Sequence, residues 1–130
     1  MEAVDALRPA HFRFSQNLTE GIVTLKETRE PYVYDEGLRM MQVIDAETSQ
    51  TIGTLIQWAN HPETLWSKNL LISSDFPHYL REAVEKGVYH GDSLVREGVG
   101  GVALYVNGAV GGPHPGAILV GRRRAGVFGH

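Results

Sequence analysis

Cysteine is absent from the 130 residues, so the chain has no disulfide, no thiolate metal ligand and no cysteine nucleophile, and cysteine usage says nothing of its redox compartment. It carries no excess of positive charge either. A formal net charge of −3 and a pI near 6.0 leave no basic footprint, which argues against nucleic acid as the main ligand. No apolar run approaches the length of a membrane span. The opening residues Met1 to Pro9 do not show a basic region followed by an apolar one, the pattern of a signal peptide, and no internal repeat is visible. What is present is ordinary globular material: 14.3 kDa, the size of one domain, with 42% apolar and 21% charged residues.

Period-two alternation in residues 10–26, interrupted by Asn17 and Gly21, predicts two short strands or a hairpin. Residues 27–37 are charged and broken by Pro31 and Gly37, hence loop. The runs Leu38–Asp45 and Thr51–Ala59 flank the polar stretch Ala46 to Gln50, and they predict an antiparallel pair. From Phe76 the period changes. Phe76, Tyr79, Leu80, Ala83 and Val84 form the apolar stripe of a helix over roughly Phe76–Lys86. Ser74 or Asp75 would cap it, Pro77 suits its first turn and Gly87 its stop. A polar loop around Tyr89 to Asp92 leads to the continuous apolar run Gly101–Val106, which suits a strand covered on both faces. This order predicts an α/β fold, a mixed sheet with flanking helices. The glycine-rich stretch from Asn107 to Gly116 and the end at His130 would normally lead to another packed element. Residues 1–130 therefore read as a single partial domain, with 113–130 an irregular tail and apolar strand faces exposed enough for self-association.

Two segments carry candidate chemistry. His61 follows an apolar strand and precedes Pro62, so its backbone is held extended and its ring is aimed from a strand end. Neutral imidazole is the commonest zinc ligand, although a histidine in that place can equally cap a strand end. Glu63, two residues on, could act as an outer-shell partner or base, or be a solvated loop carboxylate. Ser73 and Ser74 end an apolar run ahead of the helix, where unpaired N–H groups and the positive end of the dipole can stabilise an anionic oxygen in acyl transfer. Ser74 and Asp75 fit the role of caps, whereas Ser73 is freer to point at a ligand. Asn107 and Gly108 could offer an amide or backbone N–H groups at the end of the last strand, or form a turn. The segment Gly111 to Gly116 is no phosphate loop, and Arg122 to Arg124 reads as a solvated tail. Asn17-Leu18-Thr19 fits an N-glycosylation pattern that short sequences often match by chance. His11, His78, His90, His114 and His130 share no metal-ligand spacing.

Taken together, Asn60-His61-Pro62-Glu63, the segment Leu71 to Leu80 with its Ser73-Ser74-Asp75, and Ala103 to Gly112 ending an apolar strand in Asn107-Gly108 resemble the neutral/alkaline (non-lysosomal) ceramidase family, especially its bacterial ceramidase-like members. The resemblance runs from about Leu38 to Gly112, the middle of a longer family catalytic domain. It implies a zinc-dependent amidase that cleaves the N-acyl bond of a ceramide-like lipid amide to release sphingosine and a fatty acid. By it, His61 matches a zinc ligand and Ser73 the active-site serine, with Asp75 in the accompanying motif. That serine would attack the carbonyl or donate to the oxyanion. Phe76 stands where the family pattern has asparagine, and the family's other zinc-ligand segments have no counterpart in these 130 residues. One ligand cannot close a catalytic zinc site, so the chain alone is expected to be inactive. Two other readings stand beside this one: a non-catalytic scaffold or binding domain that retains the fold, and a metal-assisted hydrolase of another acyl substrate.

Overall fold

Asp45 decides where the central hairpin turns. In the computed structural model, which describes residues 2–18, 25–26, 30, 35–64, 67, 69–108 and 114–115, its carboxylate accepts hydrogen bonds from the backbone N–H groups of Glu47 and Thr48, each at 2.9 Å. Ser49 then takes the left-handed conformation, φ 59°, that closes the turn. The chain begins with a four-residue helix, α1 (Glu2–Asp5), and strands β1 (Ala10–Asn17) and β2 (Leu25–Lys26), and the Asp45 turn joins β3 (Leu38–Asp45) to β4 (Thr51–Trp58). As expected, β3 and β4 pair antiparallel. The segment 10–26 does not close on itself: β1 runs the full length of β3, from Ala10 opposite Asp45 to Asn17 opposite Leu38. A long-range partner won over the local hairpin because it extends an apolar face that β3 and β4 already share.

Helix α2 (Phe76–Glu85) follows the stripe read from the sequence, with Asp75 as its N-cap and Pro77 buried in the first turn. It gives way directly to β5 (Gly87–His90). At Gly87, φ is 112° and a Cβ would come within 2.5 Å of the Arg96 carbonyl, so only glycine fits this junction. The expected polar loop at 89–92 is instead the tip of a hairpin. Here β5 pairs with β6 (Ser93–Glu97) around Gly91-Asp92, because Val88-Tyr89 and Leu94-Val95 supply short apolar flanks on either side of a two-residue turn. The chain re-enters the main sheet as β7 (Val102–Asn107), parallel to β4, with Trp58 opposite Asn107. The sheet order is β1-β3-β4-β7, so the fold is a small α/β domain built on a mixed sheet. Of the predicted tail 113–130, the described residues form the two-residue strand β8 (His114–Pro115), paired with β2; the remainder lies outside the described residues.

The described residues cover one face of the sheet. Met40, Ile56 and Tyr105 lie abreast on the α2 side, where Ile56 and Ala103 are fully buried. The helix also seals part of the sheet's edge: Arg81 Nε donates to the Ala103 carbonyl and the Ala103 N–H donates to the Glu85 carboxylate, both at 2.8 Å. These side chains take the place of another strand's backbone. On the opposite face no described element packs. Val102 and Leu104 of β7 are 58% and 59% exposed, contrary to the expectation of a strand covered on both sides. Their apolar character belongs to an edge strand with one bare face.

Candidate active site at the strand ends

The parallel strands β4 and β7 end together at Trp58 and Asn107, and His61 follows β4 after two intervening residues. Gly108 N–H donates to the Trp58 carbonyl at 2.7 Å, and a Cβ on Gly108 would press to 3.0 Å against the Ala59 nitrogen, so the two chains leave the sheet in close contact. Beyond Trp58, Ala59 and Asn60 are fully buried, and half-buried His61 follows. The Glu63 N–H returns to the His61 carbonyl at 2.9 Å, turning the chain around Pro62.

Tyr105 fixes this exit. Its hydroxyl lies near three acceptors: the Asn60 carbonyl, the Trp58 carbonyl at 3.1 Å and Asn107 Oδ1 at 3.4 Å. A phenol has one proton, and the shortest contact, to Asn60, takes it. Burial pushes the hydroxyl's pKa well above the ordinary tyrosine value, so it stays a neutral donor. The Asn60 amide itself is buried, and neither its oxygen nor its nitrogen has a hydrogen-bond partner among the described residues; the same holds for Trp58 Nε1.

Asp75 ties the two candidate segments together. One carboxylate oxygen accepts from the Thr64 N–H at 3.0 Å, and the other from the Thr64 hydroxyl and from Phe76 N–H at 2.6 Å. The loop that carries His61 is thereby joined to the residue two beyond Ser73. Asp75 adopts φ 53°, ψ −147°, a region that glycine normally occupies, and such a conformation persists only where surrounding bonds over-determine it. Phe76 does the packing at the same point. Its ring stands edge-on to Trp58, centroids 5.7 Å apart, and to Tyr105, 5.4 Å apart, and so pins the helix start onto the ends of β4 and β7.

Ser73 is exposed and accepts a hydrogen bond from Asn69 Nδ2 at 3.2 Å. It lines an open cleft of 690 Å³ together with Thr64, Asn69, Asp75, His78 and Tyr79. His61, Glu63 and Asn107 do not line that cleft. The structure thus joins the His61 and Ser73 segments through Thr64 and Asp75, and sets Asn107 beside Tyr105. Sequence reasoning passed over Thr64, and gave Asn60 and Tyr105, though both lie in quoted motifs, no role of their own. The last was marked by being the one phenol in the apolar run Val102–Val106, since a buried tyrosine needs an acceptor.

Catalytic zinc takes three protein ligands. Among the described residues, no group of three His, Cys, Asp or Glu side chains could hold a metal ion, so His61 and its described neighbours do not make a zinc site by themselves. No described helix is long and apolar enough to cross a membrane.

A mixed sheet backed by one helix, with candidate residues where parallel strands end, is the usual α/β arrangement for a site. Among solved structures the chain is similar to the neutral ceramidase from Pseudomonas aeruginosa, over 98% of this chain and 20% of that one, with a TM-score of 0.67 at 17% identity. At that identity the likeness is one of fold, and the chain spans about a fifth of the ceramidase's length. No protein-family model and no curated protein sequence matches the chain.

Proposed function

We propose that the chain forms the sheet-and-helix portion of a ceramidase-like amide hydrolase acting on a lipid amide. The observation that carries this reading is the fold likeness to a neutral ceramidase along nearly the whole chain. In this proposal Ser73 is the reacting hydroxyl, presented in the cleft beside the start of α2, as nucleophile or as donor to the oxyanion. Asp75 holds the Ser73 and His61 segments in register. His61 is one ligand of a zinc ion whose other ligands come from polypeptide outside these 130 residues. Glu63 and Asn107 are supporting groups at the strand ends. The test is hydrolysis of an N-acylsphingosine, and of simpler N-acyl amides, by the 130-residue chain and by the full-length gene product, both supplied with zinc. Turnover by the full-length product and none by the chain is expected. No turnover by either would overturn the hydrolase reading, and tight stoichiometric zinc uptake by the chain would overturn the one-ligand assignment.

One observation favours a second reading, a non-catalytic scaffold of the same fold: both oxygens of Asp75 and the ring of Phe76 are spent on holding α2 in place. A scaffold would keep its function in Ser73→Ala, whereas a hydrolase would lose turnover by orders of magnitude.

A further inference from the structure

Tyr105 carries no reacting group of the proposed hydrolysis, yet it reaches the residue before His61 from the neighbouring strand. With β4 and β7 parallel and Ile56 opposite Tyr105, the phenol passes the end of β4 on the α2 side of the sheet. Its hydroxyl meets two carbonyls of one chain, that of Trp58 at 3.1 Å and that of Asn60 closer still. In an extended strand, carbonyls two residues apart lie about 6.6 Å from one another. Here one oxygen reaches both, so the chain bends at Ala59 around the phenol.

We propose that Tyr105 is the positioning residue of His61: by donating to the Asn60 carbonyl it fixes the peptide from which His61 departs, and with it the direction of the imidazole. That carbonyl and the His61 N–H belong to one planar unit, so a bond to the oxygen orients the whole group. Before His61 the chain has no other such hold. The Asn60 side-chain amide is fully buried without a hydrogen-bond partner among the described residues, and the bond found on the Asn60 carbonyl is that of Tyr105. After His61 the chain is gripped twice, by the Glu63 N–H on the His61 carbonyl at 2.9 Å and by the Thr64 N–H on Asp75 at 3.0 Å. Pro62 narrows the remaining freedom by disfavouring the helical region for His61. With the phenol the peptide is held from both sides, and without it from one.

The phenol is itself stiffly mounted. Phe76 stands edge-on to it at 5.4 Å, and two residues earlier Ala103 is tied to α2 by Arg81 and Glu85. The arrangement is complete within the described residues, which bury Ala59 and Asn60 fully. Its consequence for turnover rests on the reading of His61 as a group of a hydrolase site, whereas the positioning does not. A reacting or ligating group misplaced by about 1 Å costs on the order of 100-fold in rate. Tyr105 does not line the cleft that holds Ser73, so the loss falls on kcat and spares KM.

Two measurements on Tyr105→Phe test this, with Asp45→Ala as control because it loosens the turn at the far end of β4 and leaves the strand ends alone. The first needs no activity: amide relaxation and the Asn60 carbonyl-carbon shift, read by NMR on the 130-residue chain. An order parameter of about 0.85 for the His61 N–H is expected in the wild type and in Asp45→Ala, falling toward about 0.6 in Tyr105→Phe together with a displaced Asn60 carbonyl shift. A His61 that Tyr105→Phe leaves as rigid as before, or that Asp45→Ala loosens as much, overturns the proposal. So does a wild-type value already below about 0.6, which needs no variant at all. The second is turnover of an N-acylsphingosine by the full-length gene product. Tyr105→Phe should lower kcat by about 10–100-fold with KM within about twofold, and Asp45→Ala should keep both. An unchanged kcat in Tyr105→Phe, or an equal loss in Asp45→Ala, overturns the proposal. A wild type without turnover overturns the hydrolase reading instead, and the relaxation data then decide the positioning.

Discussion

Replacing Phe76 by asparagine, the residue of the resembled family pattern, should unfasten α2 from the sheet. The ring makes edge-to-face contacts with Trp58 at 5.7 Å and Tyr105 at 5.4 Å, and such pairs contribute about 0.5–1.5 kcal/mol each beyond area burial. Phe76 is half-buried, so removal of its ring also forfeits part of the roughly 3–5 kcal/mol that a fully buried phenylalanine loses on truncation. A total of about 3 kcal/mol follows, a large fraction of the ~5–15 kcal/mol typical of a domain, or a fall in Tm of about 10 °C for a chain of this length. Urea titration followed by tryptophan fluorescence measures the cost. The near-UV circular dichroism of the aromatic cluster should weaken at the same time. To isolate the pair, a cycle of Phe76→Leu and Tyr105→Leu should show a coupling of about 1 kcal/mol. A cost below about 0.5 kcal/mol for Phe76→Asn, within the range of an ordinary surface change, would refute the view that this ring fastens the helix to the strand ends.

Three further outcomes follow from the same contacts. Asp75→Ala removes the acceptors of Thr64 and Phe76 and leaves a non-glycine residue at φ 53°; a loss of about 2–3 kcal/mol in chemical denaturation is expected, with Asp75→Gly losing less because it relieves the backbone. Tyr105→Phe orphans the buried Asn60 carbonyl and should cost about 1–2 kcal/mol in thermal unfolding, and in the wild type one phenol should ionise above the ordinary value near 10 when phenolate absorbance is followed with pH. Asp45 is held below the usual carboxylate range by the N–H groups of Thr48 and Glu47, with Arg8 adding to it. Its folded pKa lies below its unfolded one, so the stabilisation is full above the unfolded value and disappears as pH falls through the folded one; Asp45→Asn should flatten the acid limb of the stability profile below about pH 4.

The parts of this fold that sequence patterns expose are those whose pattern is local. Leu38–Asp45 and Thr51–Trp58 are adjacent, β-rich and joined by a polar turn, and the stripe of Phe76, Tyr79, Leu80, Ala83 and Val84 repeats at helical spacing. The pairing of β1 with β3 was hidden because it depends on a partner some thirty residues away. The hairpin of β5 and β6 was hidden by brevity, with two apolar residues on each flank of Gly91-Asp92. At the site, the serine and aspartate ahead of a helix pointed to a cap, and Asp75 is one. Its second task, holding Thr64, depends on a loop closure that no spacing rule encodes. The exposed side of Val102, Leu104 and Val106 was misread because an apolar run records only that water is disfavoured, and not whether a helix, a sheet or a second molecule covers it.

Turnover of an N-acylsphingosine by the full-length gene product, with His61→Ala and Ser73→Ala measured beside the wild type, tests the hydrolase reading most directly. Amide cleavage by the wild type and losses of orders of magnitude in both variants, at unchanged folding, are expected. Equal rates in all three proteins would contradict that reading.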